Sequence, residues 1–512
     1  MSQIDDAPPP RAWDAIIIGS GFGGAMAALP LVNAGWRVLM LERGGWVARG
    51  PDNWGGRGAG LLTPHYTMET PYRVTAGHYR YDTGAWHCVG GQSVFYGGAS
   101  FRYRARDFEH DPHVVGDSGA EWPWRYADLE PWYVHAERLL GVAGETGADP
   151  TEPPRSTPFP HAPAPLSRPS RMIADAARRL GLNPFRIPLA ISYERGDERR
   201  ACISCGTCDG YACAAEAKND LATAVIPSLV RHGMTLRTNT VCVRLVHARG
   251  RVVAVECVDR VTGQPSRYVA GRVVLAAGAL ATPHLLLASG LDRASPARDA
   301  IGRYLTRHCN AVVFGVYPRR PNPAGEFDKQ VAIHDAYDGA ALPGAPAGTL
   351  GGIQQLTPPA GLVRAYMPAV VRMPAALLVQ HATGLLCMAE DQPLQANGVS
   401  LDEGTRDRYG MPRLHVRHLY TARDRAAAGA LATLARRILY EAGAAFTWTH
   451  HIETFSHALG TVRMGSDERT APLDGDGRFR GVDNLFVADG SAIPRSGGVN
   501  PSLTIAATAL RS

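Results

Sequence analysis

The sequence predicts a mixed α/β fold with α+β character, and three observations predict it. A β-branched run near the N-terminus, Asp14 to Ile18, leads straight into a glycine turn and an Ala-rich segment. Near the other end, Val482 to Val487 reads as a strand closing on Asp489-Gly490, before a helix over Leu503 to Leu510. Between them, residues 311–450 hold alternating short apolar runs and then an Arg/Ala-rich helix, Thr421 to Ala442, the pattern of an antiparallel sheet backed by helices. At 512 residues the chain supports several structural units around large cores.

Composition narrows the class of function. The chain is 45% hydrophobic and 20% charged, with 56 Gly and 38 Pro, as in a folded protein rich in tight turns. A net charge of +6 spread over 512 residues is too dilute for a nucleic-acid footprint, and no basic cluster concentrates it. Nearly all the positive charge is Arg; Lys218 and Lys329 are the only lysines. The N-terminus has two acids ahead of any apolar run and no secretory pattern. The most apolar stretch, Val273 to Leu287, is too short for a membrane span and contains Pro283 and His284, so it reads as buried core. The reading predicts a cytoplasmic protein with no membrane span. Nine Cys in such a chain argue against a disulfide framework.

The first forty-five residues predict strand, glycine turn, helix and second strand. Gly19 permits a sharp turn, Gly21 lets backbone approach a pyrophosphate, and Gly24 brings the helix close to its strand, with the helix N-terminus facing the anion. Arg37 to Glu42 is the second strand. Glu42 stands 23 positions after Gly19, where a carboxylate accepts hydrogen bonds from ribose hydroxyls and disfavours NADP. This segment leaves NAD and FAD open.

The remaining motifs carry a resemblance. The N-terminal fingerprint, HCVGGQSVFYGGASFR (87–102), VVLAAGALATPHLLLASG (273–290), HALGTVRMG (457–465) and NLFVADGSAIPRSGGVNPSLTIAATAL (484–510) together resemble the glucose-methanol-choline oxidoreductases, in family order along nearly the whole chain. The resemblance implies a Rossmann-like FAD-binding domain interleaved with a substrate domain, and FAD-dependent oxidation of an alcohol. It places Glu42 on the adenosine ribose, Val241 beside the adenine, and Asp489 and Gly490 beside the pyrophosphate and ribityl chain. Gly90, Gly91, Ser93, Tyr96 and Gly97 fall on the loop beneath the flavin, where Tyr96 departs from the Asn of many relatives. Covalent-FAD relatives carry a His in this loop. Here Phe95 or Tyr96 stands instead, and His87 is offset, so the FAD is predicted to be noncovalent.

Alcohol oxidation by hydride transfer needs a base facing the flavin, and a neutral imidazole suits that task near pH 7. Among eighteen His, the resemblance selects His457, which opens HALGTVRMG, and pairs it with Asn500, beside Pro501 in VNPSLT. A neutral Asn donates a hydrogen bond to developing alkoxide charge. His450 and His451 read as structural or substrate-facing. Four of the nine Cys, Cys202, Cys205, Cys208 and Cys213, fall within twelve positions. Their spacing suits an iron–sulfur cluster better than zinc, but a tight Cys-rich loop near the FAD or substrate is the favoured reading, with no metal assigned.

The predicted domains are 12–50, 85–110, 220–310 and 455–512 for FAD, and 51–84, 111–219 and 311–454 for a substrate-binding cap. The Pro-rich stretch 149–170 reads as a surface loop. The expected activity is oxidation of a small-molecule alcohol, a sugar or amino sugar foremost, by an enzyme whose electron acceptor, whether oxygen, quinone or cytochrome, stays open. The alternatives are the flavoprotein subunit of a respiratory dehydrogenase complex and a noncatalytic or lyase-type FAD protein.

Overall fold

The computed structural model describes residues 13–53, 66–194, 200–356, 358 and 369–512. Parts of the predicted substrate ranges, 54–65, 195–199, 357 and 359–368, lie outside the described residues, as do residue 12 and the acidic N-terminus.

A five-stranded sheet, parallel throughout, is built from distant segments. Its order is Leu485–Val487, Ala270–Leu275, Trp13–Ile18, Val38–Leu41 and Thr235–Arg237. Strands covered on both faces must be apolar on both faces. Ile16, Ile17, Val38, Leu39, Met40 and Leu275 accordingly have no exposed surface. Each such aliphatic side chain contributes about 1.5–3 kcal/mol by leaving water. The helix Phe22–Asn33 covers the sheet through Ala25, Met26 and Ala28, and packs in turn on the helix Ser502–Arg511. It begins three residues before the expected Ala25, because helical geometry starts as soon as the turn ends at Gly21. Because the strands are parallel, their carboxyl ends share one edge of the sheet. Gly19, Glu42, Ala276 and Ala488 therefore emerge together, where open α/β sheets bind ligands.

The second large layer is antiparallel. Its order is Phe446–His451, Cys309–Val316, Ala382–Ala389, Gly351–Leu356, Val331–Ile333 and Phe185–Arg186. The helix Ala422–Glu441 lies across it, and Ala427, Leu431, Ala435 and Ile438 recur at helical spacing in one core with Val313, Leu385 and Ile353. Thr421 and Asp424 start that helix by exchanging hydrogen bonds, each side chain accepting the other's backbone N–H at 3.0 and 2.9 Å. Two smaller sheets complete the fold. The Pro-rich stretch runs without strand or helix until Arg168. There the helix Arg168–Arg179 begins two residues before the loop was expected to end, since Pro169 occupies the first turn, where a missing N–H costs nothing. The apolar stretch 273–287 divides into the end of one strand and most of the buried helix Ala281–Ala288.

Candidate active site

The glycine turn at the sheet edge is tight at Gly19 and Gly24 and open at Gly21. Gly19 sits at φ +105°, and a Cβ there would lie 2.3 Å from the Ala276 carbonyl oxygen. A Cβ on Gly24 would lie 2.0 Å from the Gly19 carbonyl oxygen. Gly21 differs, because nothing lies within 4 Å of where its Cβ would be. That position is open, at the first turn of a helix, where N–H groups suit an anion. The next loop abuts it: a Cβ on Gly91 would lie 3.3 Å from Gly21 Cα, and the Gly90 N–H donates to Ser20 Oγ at 3.0 Å.

The carboxylate of Glu42 accepts from Ser20 N (3.1 Å), Ser20 Oγ (2.5 Å) and Gly44 N (2.8 Å), while burial pushes its pKa up. Val241 is buried, and its neighbour Thr240 donates a backbone bond to the Glu42 carbonyl at 2.9 Å. Three further expected cofactor contacts likewise have their side chains engaged within the protein. Asp489 accepts from Gly278 N, Thr282 Oγ1, Ser491 N and Ser491 Oγ at 2.5–2.8 Å, tying the third and fifth motifs together. Ser93 Oγ donates to the Gly90 carbonyl at 2.6 Å and accepts from Leu221 N at 3.1 Å. Tyr96 donates to the Asn219 carbonyl at 3.0 Å and packs edge-on to Phe22. Phe95 is buried and stacked on Trp86.

The HALGTVRMG segment lies against Asp489-Gly490-Ser491: Gly460 N donates to the Gly490 carbonyl and Val462 N to the Ser491 carbonyl. A Cβ on Gly490 would meet Leu459 at 2.9 Å. Pro501 caps the last helix. The residues between, 495–500, form a firmly held loop. Arg495 makes a bidentate pair with buried Glu390 at 2.8 Å on both arms, and Gly498 N donates to Tyr337 Oη at 2.9 Å.

Asn500, one of the pair selected from the sequence, ends this loop, and His457, the other, opens the HALGTVRMG segment. Asn500 is buried, and its Oδ1 accepts from Gln354 Nε2 at 2.8 Å, which leaves Nδ2 without a partner among the described residues. His457 Nδ1 lies 3.1 Å from His308 Nδ1, and His457 Nε2 has no partner among the described residues. His308 in turn reaches the Ser496 carbonyl through Nε2 at 2.9 Å. Burial foremost, then His308 and Lys329, hold the His457 pKa well below the usual histidine value. His450 and His451 are exposed on the strand Phe446–His451.

Sequence reasoning missed His308, Gln354 and Lys329. Nothing marked the first two, but Lys329 had a signal in being one of two lysines. Both lysines bind the Cys-rich loop. Lys218 Nζ donates to the carbonyls of Tyr96, Cys208 and Tyr211 at 2.6–3.1 Å, and Lys329 pairs with Asp209 at 2.9 Å. A Cβ on Gly97 would lie 1.8 Å from Asp209 Oδ1, so the 87–102 segment touches this clamp directly. Burial raises the thiols of Cys202 to about 11 and Cys208 to about 12. Among the described residues, no group of three or more His, Cys, Asp or Glu is placed to hold a metal ion.

Two family models described as GMC oxidoreductase match residues 80–310 and 393–509, more than half of the chain. The chain belongs to the GMC oxidoreductases. As such it is an FAD-dependent enzyme acting on the CH–OH group of alcohols. This GMC oxidoreductase is 32% identical to 6'''-hydroxyparomomycin C oxidase of Streptomyces lividus, over 98% of its own length and 91% of the relative's. It is equally similar, at 32% with the same coverage, to paromamine 6'-oxidase of Streptomyces fradiae. The solved structure of pyridoxine 4-oxidase from Mesorbium loti shares its fold at a TM-score of 0.66, with 22% identity over 97% of this chain and 98% of that one. No helix among the described residues is long and apolar enough to cross a membrane.

Proposed function

We propose that this enzyme oxidises an alcohol group of a sugar or amino sugar, with His457 Nε2 as the base and Asn500 Nδ2 as the donor that holds the substrate oxygen. One observation carries the reading: on both side chains the inner polar atom is tied to the protein, by His308 and by Gln354, while the outer one is unengaged. FAD bound along the sheet edge supplies the acceptor for the hydride leaving the carbinol carbon. His457 is neutral at pH 7 because its pKa is depressed, so Nε2 can take the hydroxyl proton. Asn500 opposes charge developing on the oxygen without itself changing charge. The sugar or amino-sugar class rests on the two 32%-identical oxidases.

In this reading the segments 12–50, 85–110, 220–310 and 455–512, all but the second of which supply strands of the parallel sheet, hold the FAD, and the remaining segments form the substrate side. The FAD is noncovalent, because Phe95, buried, and Tyr96, half-buried, stand in the flavin loop where an attaching His would be. All nine cysteines are free, as suits a reducing cytoplasm.

Anaerobic bleaching of the flavin by paromamine, glucosamine, fructose and benzyl alcohol tests the substrate class. Sugar or amino-sugar reductants should bleach it, and bleaching by benzyl alcohol alone would sink that part of the reading. His457→Ala should keep its FAD and lose roughly a hundredfold or more in the rate of flavin reduction. A wild-type rate in that variant would remove His457 from the chemistry. Oxygen uptake against dye reduction then identifies the acceptor.

A further inference from the structure

His308 occupies a position that the surrounding structure over-determines. It has no exposed surface and sits at φ +61°, in the left-handed region that few non-glycine residues adopt. Its backbone N–H donates to Asp391 Oδ1 at 3.0 Å, and that of Arg307 donates to Asp391 Oδ2 at 2.9 Å. The same carboxylate accepts from Ser496 Oγ at 2.8 Å, and Tyr420 Oη donates to the His308 carbonyl at 2.7 Å. The ring is thus held between the loop that carries Asn500 and the imidazole of His457.

Its two nitrogens face partners of different kinds. Nε2 lies 2.9 Å from the Ser496 carbonyl, which also accepts from Tyr103 Oη at 2.5 Å. A carbonyl only accepts, so His308 Nε2 carries a hydrogen. In neutral His308 the other nitrogen, Nδ1, is then a lone pair, and it lies 3.1 Å from His457 Nδ1. One of two facing nitrogens must donate, so the hydrogen is on His457 Nδ1.

We infer that His308 is a positioning residue that fixes His457 in its Nδ1–H tautomer, through the hydrogen-bonded chain Ser496 carbonyl, His308, His457, leaving His457 Nε2 as the proton acceptor. The inference rests on the assignment of His457 as the base and adds what makes it one. The opposite tautomer would place a hydrogen on Nε2, where the substrate's proton has to go. A doubly protonated His308 would produce that tautomer by donating from Nδ1. Burial opposes it, against the carboxylates of Asp391 and Glu390, which favour it. Both carboxylates are engaged elsewhere, Glu390 by Arg495 and Asp391 also by His418 at 3.3 Å. Lys329 acts on His457 from the Cys-loop side.

The decisive measurement needs no substrate. The holoenzyme is labelled with ring-15N histidine, and the spectra of wild type and His457→Gln are subtracted to assign His457. A protonated Nδ1 and an unprotonated Nε2 near pH 7.5 are expected; a protonated Nε2 would overturn the inference whatever the activity. Kinetics supply an independent arm with paromamine as reductant. His308→Asn keeps an acceptor at the position of Nδ1 and tolerates positive φ, so it should reduce flavin within about fivefold of wild type, while His308→Leu, similar in size but without an acceptor, should lose about a hundredfold in the reduction rate with little change in apparent paromamine affinity. The reverse order would overturn the inference too. If His457→Ala reduces normally, the base assignment fails. If His457→Ala is inactive but His308→Leu reduces normally, only the tautomer role fails.

Discussion

Gly21 and Gly24 stand three residues apart in one turn and serve different ends. A methyl on Gly24 has nowhere to go, since the Gly19 carbonyl is 2.0 Å from its place. Gly24→Ala should therefore cost about 1–3 kcal/mol of stability, read by denaturant unfolding of the apoprotein. A methyl on Gly21 meets no protein atom. Gly21→Ala should leave apoprotein stability within about 0.5 kcal/mol. In the proposed reading FAD runs along this sheet edge, so with the methyl in place FAD affinity measured by flavin fluorescence should fall at least about tenfold. The close packing at Gly24 was legible in the sequence, because glycine spacing in a turn is a local signal. Gly23 was not, although a Cβ there would come within 1.5 Å of the Ala488 carbonyl oxygen. Its reason is a backbone some 465 positions away, which no local pattern records. His308 and Gln354 escaped for the same cause, since each acts through a partner far along the chain: 149 residues separate His308 from His457 and 146 separate Gln354 from Asn500.

At the scale of elements, the Cys-rich loop is organised by an ammonium group. Lys218 is 1% exposed, and its three N–H groups meet three carbonyls, those of Tyr96, Cys208 and Tyr211. Replacing it by Met strands buried acceptors, so Lys218→Met should lose roughly 3 kcal/mol or more. Before global unfolding it should also speed the reaction of Cys202 and Cys208 with a thiol reagent. In the intact loop both thiols are held protonated by burial, with pKa values near 11 and 12, and thiolate is the reactive form. Unchanged modification rates in the variant would show that the lysine does not organise the loop. The sequence announced this element by its cysteines, but it is the two lysines that fasten it. Cysteine spacing is a pattern that several chemistries share, whereas a charge among carbonyls shows only once the chain has folded. The regular elements were easier to read. The helix Ala422–Glu441 and the strand Trp13–Ile18 each carry their own periodicity and boundary signals, and both were anticipated to within a residue or so.

Across the whole molecule, His87, His284, His308, His334, His418 and His457 all have depressed pKa values, with burial the leading cause in each. A histidine that stays neutral when folded but takes up a proton when unfolded adds stability above its unfolded pKa, near 6.5, and that stability is lost as pH falls below it. Raised carboxyls, among them Asp107 and Asp424 at about 6, act in the opposite sense, so a difference measurement isolates the histidine effect. His284 lies 2.7 Å from the Pro412 carbonyl, a contact that a glutamine amide can also make. His284→Gln should therefore gain on wild type as pH falls from about 7.5 to about 5.5, by up to about 1.4 kcal/mol per pH unit. Parallel stability profiles for the two proteins would rule this out. The parallel sheet has a consequence of another kind. Its central strand Trp13–Ile18 pairs directly with Ala270–Leu275, whose other neighbour is Leu485–Val487. On a ribosome adding about 5–20 residues per second, the first of these strands waits roughly 25 to 90 seconds for the last to be made. During that interval the nascent polypeptide exposes an incomplete β edge, and a chaperone that shields it would govern how much enzyme a cell recovers.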